Sequence, residues 1–260
     1  MSKNPRGAAI EFASTAAITP STWDEIWQLT QRFYDTERDH AQAQLKEHAR
    51  TILFRSSEGN TQDGGELVGM ASVDVYAATV EGRRVAVIYT SHVLLHEQYR
   101  GHNLIQKVGF HTFVETRLRH PLRPIYWFFD TFSYKSYLLL PRNFKHYWPR
   151  FDQATPQRER ALMAHLATQT YGPAWSSEQG IVLRSNRKRL RPDTAPIDDR
   201  LAGNEALAFF ARMNPGHAAG DMLVCLCPLT ISNWLHAAVL AVRRLYKKRM
   251  GSARSTRPTP

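Results

Sequence analysis

Cysteine is nearly absent. Cys225 and Cys227 are the only two, too few for a disulfide scaffold, and their scarcity predicts a reducing compartment. The opening residues, MSKNPRGAAIEF, lack the long apolar core of a signal peptide, which predicts that the chain is not exported. No internal repeat is visible. Acidic residues are outnumbered: 23 Asp and Glu face 34 Lys and Arg, a formal net charge of +11. That surplus points to an anionic partner, whether nucleic acid, a membrane surface or a phosphate-bearing small molecule. The 260 residues, 43% hydrophobic and 22% charged, can build a sizeable core and do not describe a disordered, collagen-like or coiled-coil chain.

The positive charge is uneven. Arg184, Arg187, Lys188, Arg189 and Arg191 form one knot, and from Ile231 to Pro260 there are seven basic residues and no acidic one. Met222 to Val242 carries no charged side chain, and RRLYKKR follows. Length and basic flank suit a membrane span. Pro228, Thr230, Ser232, Asn233 and His236 interrupt it, however, so we expect a strand, a turn and a helix over Ser232 to Lys248. Leu235, Val239, Val242 and Tyr246 line one side of that helix and are expected to dock it. The stretch 251–260 reads as a disordered tail, and Arg191 to Arg200 as a long surface loop.

Periodicity predicts an α+β fold. A short strand at Ala8–Ala13 precedes helices near 22–35 and 37–50. Three antiparallel strands follow, TILFRS, LVGMASVDVYAATV and RRVAVIYTSHVLLH, then a helix over Asn103–Arg119. PIYWFFDTF reads as a strand buried on both faces, which makes its aromatics core rather than base-stacking residues. Further helices are expected near 134–144, 156–169 and 204–213, with strands at 180–184 and 221–227. Cys225 and Cys227 share one face of the last strand, where they read as small buried hydrophobes; no neighbouring His/Cys pair completes a metal site.

The informative stretch is VLLHEQYRGHNLIQKVGF, residues 93–110. A strand enters a turn at Arg100-Gly101 and a helix starts at once. Open amides at a helix start beside a glycine form an anion site. The run Gln98, Tyr99, Arg100, Gly101, His102, Asn103 resembles the signature of the GCN5-related N-acetyltransferase superfamily, Arg/Gln-x-x-Gly-x-Gly/Ala. It keeps Gln98 and Gly101 and departs at Asn103, a residue that tolerates unusual backbone angles.

The resemblance spans roughly residues 8–148. It implies an acetyltransferase-like fold, with a mixed, mostly antiparallel sheet flanked by helices. It implies a core over 1–150 and a region over 151–250 that completes the sheet and adds helices. It also implies a cytoplasmic N-acyltransferase whose donor, acetyl-CoA or a longer acyl-CoA, lies between splayed strands. Arg100, Gly101, His102, Asn103 and Leu104 would hold the pyrophosphate, and Val93, Leu94 and Leu95 the pantetheine arm and thioester. No carboxylate lies between Arg83 and His96, so the family's common glutamate base is missing and His92 is the titratable alternative to it. A bulge would change which face His92 shares with His96. Counting back from Phe144 puts a leucine where the family has a tyrosine acid, and Tyr137 is the nearest substitute. Asp130 is placed to hold an amine, with a helix cap as the plain alternative. No metal is implied. The basic knots also suit an acidic acyl carrier protein or an anionic lipid surface, so a non-enzymatic module binding lipid or nucleic acid is the competing reading. Acceptor and oligomeric state are not legible.

Overall fold

Described over residues 7–57, 65–184, 188–191 and 203–255, the computed structural model has its strands and helices close to where the hydrophobic pattern puts them. In chain order they are β1 (Ala8–Ser14), α1 (Pro20–Phe33), β2 (Tyr34–Thr36), α2 (Arg38–Lys46), β3 (Arg50–Ser56), β4 (Leu67–Val80), β5 (Arg83–Leu95), α3 (Leu104–Arg119) and β6 (Ile125–Thr131). There follow α4 (Tyr134–Tyr137), α5 (Leu139–Asn143), α6 (Gln157–Tyr171), β7 (Trp175–Ser176), β8 (Ile181–Val182), β9 (Lys188–Leu190), α7 (Glu205–Met213), β10 (Met222–Pro228) and α8 (Ile231–Ser255). Local chemistry sets the boundaries. The Thr19 hydroxyl accepts a hydrogen bond from the Thr22 amide and Pro20 opens the first turn of α1, whose Ile26, Leu29 and Phe33 then turn inward. The short strands β2, β7 and β9 have no clear periodic signal. Most of the expected loop at 191–200 lies outside the described residues.

Eight strands form one sheet in the order β1-β3-β4-β5-β6-β10-β8-β7, while β2 and β9 pair separately. Every pairing is antiparallel except β5 with β6. This is the expected α+β class with a mixed, mostly antiparallel sheet between helices. Alternation in β5, β6 and β10 divides the core in two. Val87, Tyr89, Tyr126, Phe128, Val224 and Leu226 face α1, α2 and α6. Ala86, Ile88, Ile125, Phe129, Leu223, Cys225 and Cys227 face α3, α4, α5 and α7. Both thiols are free and buried, as small core residues.

The C-terminal helix corrects one expectation. Leu235, Val239, Val242 and Tyr246 do not dock it: they are 62%, 49%, 65% and 65% exposed. The helix is held by its other side. Buried Asn233 donates to the carbonyls of His146 and Pro228, both at 2.7 Å, and accepts from the Lys145 and His146 amides at 3.0 and 2.9 Å. Trp234 packs on Phe110 and Phe113. Arg244 donates to Asn143 Oδ1 and to the Arg142 carbonyl. Apolar spacing reveals that a helix has a stripe, not which side is covered, and a fully satisfied asparagine outweighed the stripe. The helix also runs on to Ser255, into the stretch read as a tail; residues 256–260 lie outside the described region. Among the described residues no helix is long and apolar enough to cross a membrane.

The two sides of α8 should respond differently to substitution. Asn233→Ala strands two amides and two carbonyls and is expected to cost about 2–4 kcal/mol in denaturant unfolding. Leu235→Ser should stay within about 0.5 kcal/mol of wild type. Equal losses would put the anchoring on the wrong side.

Candidate active site

The site begins where β5 breaks its own rhythm. Across β4, Ser91 pairs with Ser72 and Leu94 with Met70, so His92 and Val93 together oppose Ala71. This is a β-bulge, with His92 at φ 51 in the left-handed region. It reverses the alternation: Tyr89 before it and Leu94 after it belong to the same side of the core. The parallel pairing of β5 with β6 runs from Ala86↔Ile125 to Thr90↔Phe129 and ends there. Residues 91–95 continue without a β6 partner, so the two strands diverge at one end.

The next residues on both strands, Ser91, His92 and Asp130, line a cavity of ≈ 240 Å³ on the α1/α2 side of the sheet. His40, Gln44, Phe132, Leu183, Arg184 and Lys188 add to its walls. Both ring nitrogens of His92 are buried and have no hydrogen-bond partner. Burial, followed by the charges of Lys188 and His48, holds its pKa well below the usual 6.5. The imidazole is therefore neutral at pH 7, with a lone pair to offer. Its ring packs edge-on against His48 at 5.3 Å, and His48 Nδ1 meets Asp74 Oδ2 at 2.6 Å. Asp74 Oδ1 also accepts from the Ala49 amide, so the carboxylate fixes the wall on which His92 rests. Asp130 accepts from the Tyr89 hydroxyl at 3.2 Å, and Tyr89 in turn meets the Tyr171 hydroxyl at 3.2 Å. Burial first, then the Asp130 charge, raises the pKa of both tyrosines, which stay neutral donors. Asp130 thus belongs to the cavity and is not a helix cap.

Two residues from the basic knot enter the same cavity. Lys188 is only 9% exposed, with its ammonium 4.5 Å from the centre of the Tyr34 ring. Burial, opposed by the Asp130 charge and helped to a smaller extent by Arg184, brings its pKa down to about 7. The Lys188 carbonyl lies against Gly220, where an added Cβ would sit 2.2 Å from it, and Gly220 has φ +99. Only glycine lets β9 approach that closely. Arg184 stands over the Tyr171 ring at 5.4 Å, its amide bonded to Asp221 Oδ1 and its buried Nε without a partner. Sequence reasoning missed Lys188 and Arg184 as site residues, because a charge knot reads as surface. It also missed Asp74 and His48, which meet across a separation of 26 residues.

On the other side of the sheet lies the turn before α3. Gly101 has φ +88 with open space where a side chain would point, and Asn103 sits at φ 58 without capping the helix through its side chain. The departure from the signature at Asn103 therefore falls on a left-handed position that asparagine accepts. Arg100 is pinned by its bonds to the Leu95 carbonyl and Glu97, and its charge depresses the Lys135 pKa after burial does. Val93 is exposed, Leu94 is buried and Leu95 packs toward α3. His102 and Leu104 flank Asn103, the latter buried.

Tyr137 is not in this site. It is fully buried, packed against the rings of Phe209 and Phe210, and its hydroxyl donates to the Pro149 carbonyl at 3.1 Å. Burial raises its pKa further. The break at Leu138 between α4 and α5 leaves that position packed in the core against α7, away from the cavity.

No protein-family model matches the chain, and no curated protein does. Solved structures match over part of it. A GNAT family N-acetyltransferase from Escherichia coli in complex with CoA is 13% identical, with TM-score 0.33, over 50% of this chain and 65% of that one. An acetyltransferase from Bacillus cereus is 15% identical, with TM-score 0.32, over 54% and 80%. A conserved Enterococcus faecalis protein of unknown function is 14% identical, with TM-score 0.36, over 50% of this chain and 31% of that one. The chain thus spans less than two thirds of the Escherichia and Enterococcus proteins. At these scores the likeness adds nothing to what strand order and splay establish.

A buried lysine at a pKa of about 7, against 10.5 in the open chain, costs about 4 kcal/mol of stability at pH 7. The folded pKa is the lower one, so the penalty is full below pH 7 and fades as pH rises toward 10.5. Lys188→Met should therefore raise the melting temperature at pH 7 and lose that advantage near pH 10. A variant destabilised at pH 7 would show that the ammonium has a structural partner.

Proposed function

We propose that the chain is an acyl-CoA-dependent N-acyltransferase of the GCN5-related type. The observation that carries the reading is a coincidence of two openings. The parallel pairing of β5 and β6 stops at Thr90 and Phe129, and the first residues beyond it line the cavity. The donor approaches from the α3 side. There the open amides of residues 101–104, with Arg100 and Lys135, suit a pyrophosphate. The free edge of Val93–Leu95 suits the pantetheine arm. The acceptor amine waits on the opposite face. Its nitrogen attacks the thioester carbonyl carbon; the C–N bond forms, the C–S bond breaks, and the ammonium proton passes to His92. The thiolate leaves as free CoA with a proton returned from the imidazolium or from water. Asp130 orients the incoming amine. The donor is acetyl-CoA or a longer acyl-CoA.

His92→Asn keeps a residue that tolerates the left-handed backbone and removes the base; kcat should fall roughly 10²-fold or more. Gly101→Trp should abolish CoA binding in calorimetry while circular dichroism stays native. Full CoA affinity in folded Gly101→Trp would remove the donor site, and an unchanged rate in His92→Asn would remove the base. Because burial and Lys188 depress His92, the acid limb of kcat should lie below pH 6.5 and move upward in Lys188→Met.

We infer a second role for α8, contact with an anionic lipid surface by a cytoplasmic enzyme. Its apolar residues Ile231, Leu235, Val239, Val242 and Tyr246 stand exposed, beside a C-terminal stretch of seven basic and no acidic residues. The lipid-binding and enzymatic readings are then compatible, since α8 lies outside the cavity. Vesicles containing phosphatidylserine should sediment the protein at low salt and release it at high salt. Equal binding to neutral vesicles, or none to anionic ones, would overturn this.

A further inference from the structure

The cavity assigned to the amine holds a surplus of positive charge. Arg184 and Lys188 contribute two cations, and Asp130 one anion that already accepts from Tyr89. Neither cation has an ion-pair partner among the described residues, and the Arg184 Nε is buried with no acceptor at all. Both are held in place rather than left free. Arg184 is braced by the Tyr171 ring and its own amide bond to Asp221, and Lys188 by the Tyr34 ring and the close approach of Gly220. An arginine remains charged at any working pH, and a guanidinium whose buried Nε has no acceptor and which has no ion-pair partner among the described residues suits an anion. A simple amine, which reaches the enzyme mostly as an ammonium ion, would meet repulsion here.

We propose, building on the acyltransferase reading, that the acceptor is a small amine bearing its own acid group. Arg184 and Lys188 bind the acid as an anion, and the amine is left facing His92 and Asp130. The guanidinium offers a planar fork suited to a carboxylate or a phosphonate, and the ammonium adds a point charge beside it. The volume of ≈ 240 Å³ is far above the roughly 10–15 Å³ a single water needs, which is room for a small zwitterion. Charge selects as well as binds: the same cations that hold the acid discriminate against amines that lack one. The depressed pKa of Lys188 agrees with this arrangement, because an anion beside it restores the charged form and binding should take up protons near pH 7.

The test uses three matched series: α-amino acids of graded side chain, their amides, and the corresponding aminophosphonates. Binding is measured first by calorimetry without donor, in buffers of different ionisation heat. The amino acids or the aminophosphonates should bind roughly tenfold or more tighter than the amides, with proton uptake, and whichever series binds tighter identifies the acid. Arg184→Gln should bring them down to the level of the amides without changing CoA affinity. Lys188→Met, expected to be the more stable variant, should weaken the same series and abolish the proton uptake. With acetyl-CoA added, the preference should appear mainly in the acceptor KM. Amides that bind or react as well as the acids, or a preference that survives Arg184→Gln, would overturn the anion site and leave the transferase standing. Arg184-dependent binding with no transfer to any member would do the reverse.

Discussion

A histidine at φ 51 gives up conformational energy that glycine would not, on the order of 1 kcal/mol, and the site follows from that one displacement. In a regular strand His92 would share a face with Ile88 and Thr90, on the α3 side of the sheet. The extra residue opposite Ala71 bends β5 and exchanges the faces. The imidazole comes to lie on the α1/α2 side against His48, while Leu94 takes up the packing position that alternation would have denied it. A strand normally points its side chains by parity alone. Here the parity of β5 is broken once, and the break turns the His92 imidazole toward the cavity while leaving the backbone beyond it without a β6 partner.

The electrostatics of the cavity are set by what is missing from water. Tyr34, Tyr89 and Tyr171 are raised in pKa first by burial and then by Asp130, so they surround that carboxylate with neutral hydroxyls and aromatic faces. Asp130 accepts from Tyr89 and forms no ion pair with Arg184 or Lys188. The same tyrosine rings that shield the carboxylate brace the two cations. Positive charge is thus held at the cavity wall by aromatic contact, at a cost in folding stability that no ion pair among the described residues repays.

Much of this fold was legible because it rests on local pattern. The β3–β4–β5 meander, the aromatic β6 and the helix after Asn103 all come from alternation, turn residues and helical spacing. The glycine turn at Gly101, and the place of His92 and Asp130 at the splay, follow from a motif with a mechanical meaning. What was not legible depends on distance or on parity. Asp35 and Arg189 meet across 154 residues, and that pairing carries Lys188 into the cavity. No periodicity encodes it. The bulge has no signature because its left-handed residue is neither glycine nor asparagine. The burial of Tyr137 was not legible either, because a count back from Phe144 runs through a helix that breaks at Leu138. On α8 the apolar stripe was read correctly as a stripe and wrongly as the buried side, since one saturated asparagine fixes the helix from behind.

The gap between β5 and β6 could be mistaken for two fraying strand ends, and the pairing on either side argues otherwise. β5 stays paired with β4, across the bulge, as far as Leu95 against Gly69, well past the last contact with β6. β6 stays in register with β10 as far as Thr131 against Leu223. Each strand is therefore held to its end by its outer neighbour, and the opening is the one place where the sheet yields. It yields between the two strands that, among the described residues, pair in parallel, and their carboxyl ends lie together. An antiparallel pair would have brought the start of one strand to the end of the other. A parallel pair brings two continuing chains side by side, one leading to the α3 turn and the other to α4. Divergence there opens a slot between the two faces of the sheet, with the Gly101 turn on one side and His92 on the other.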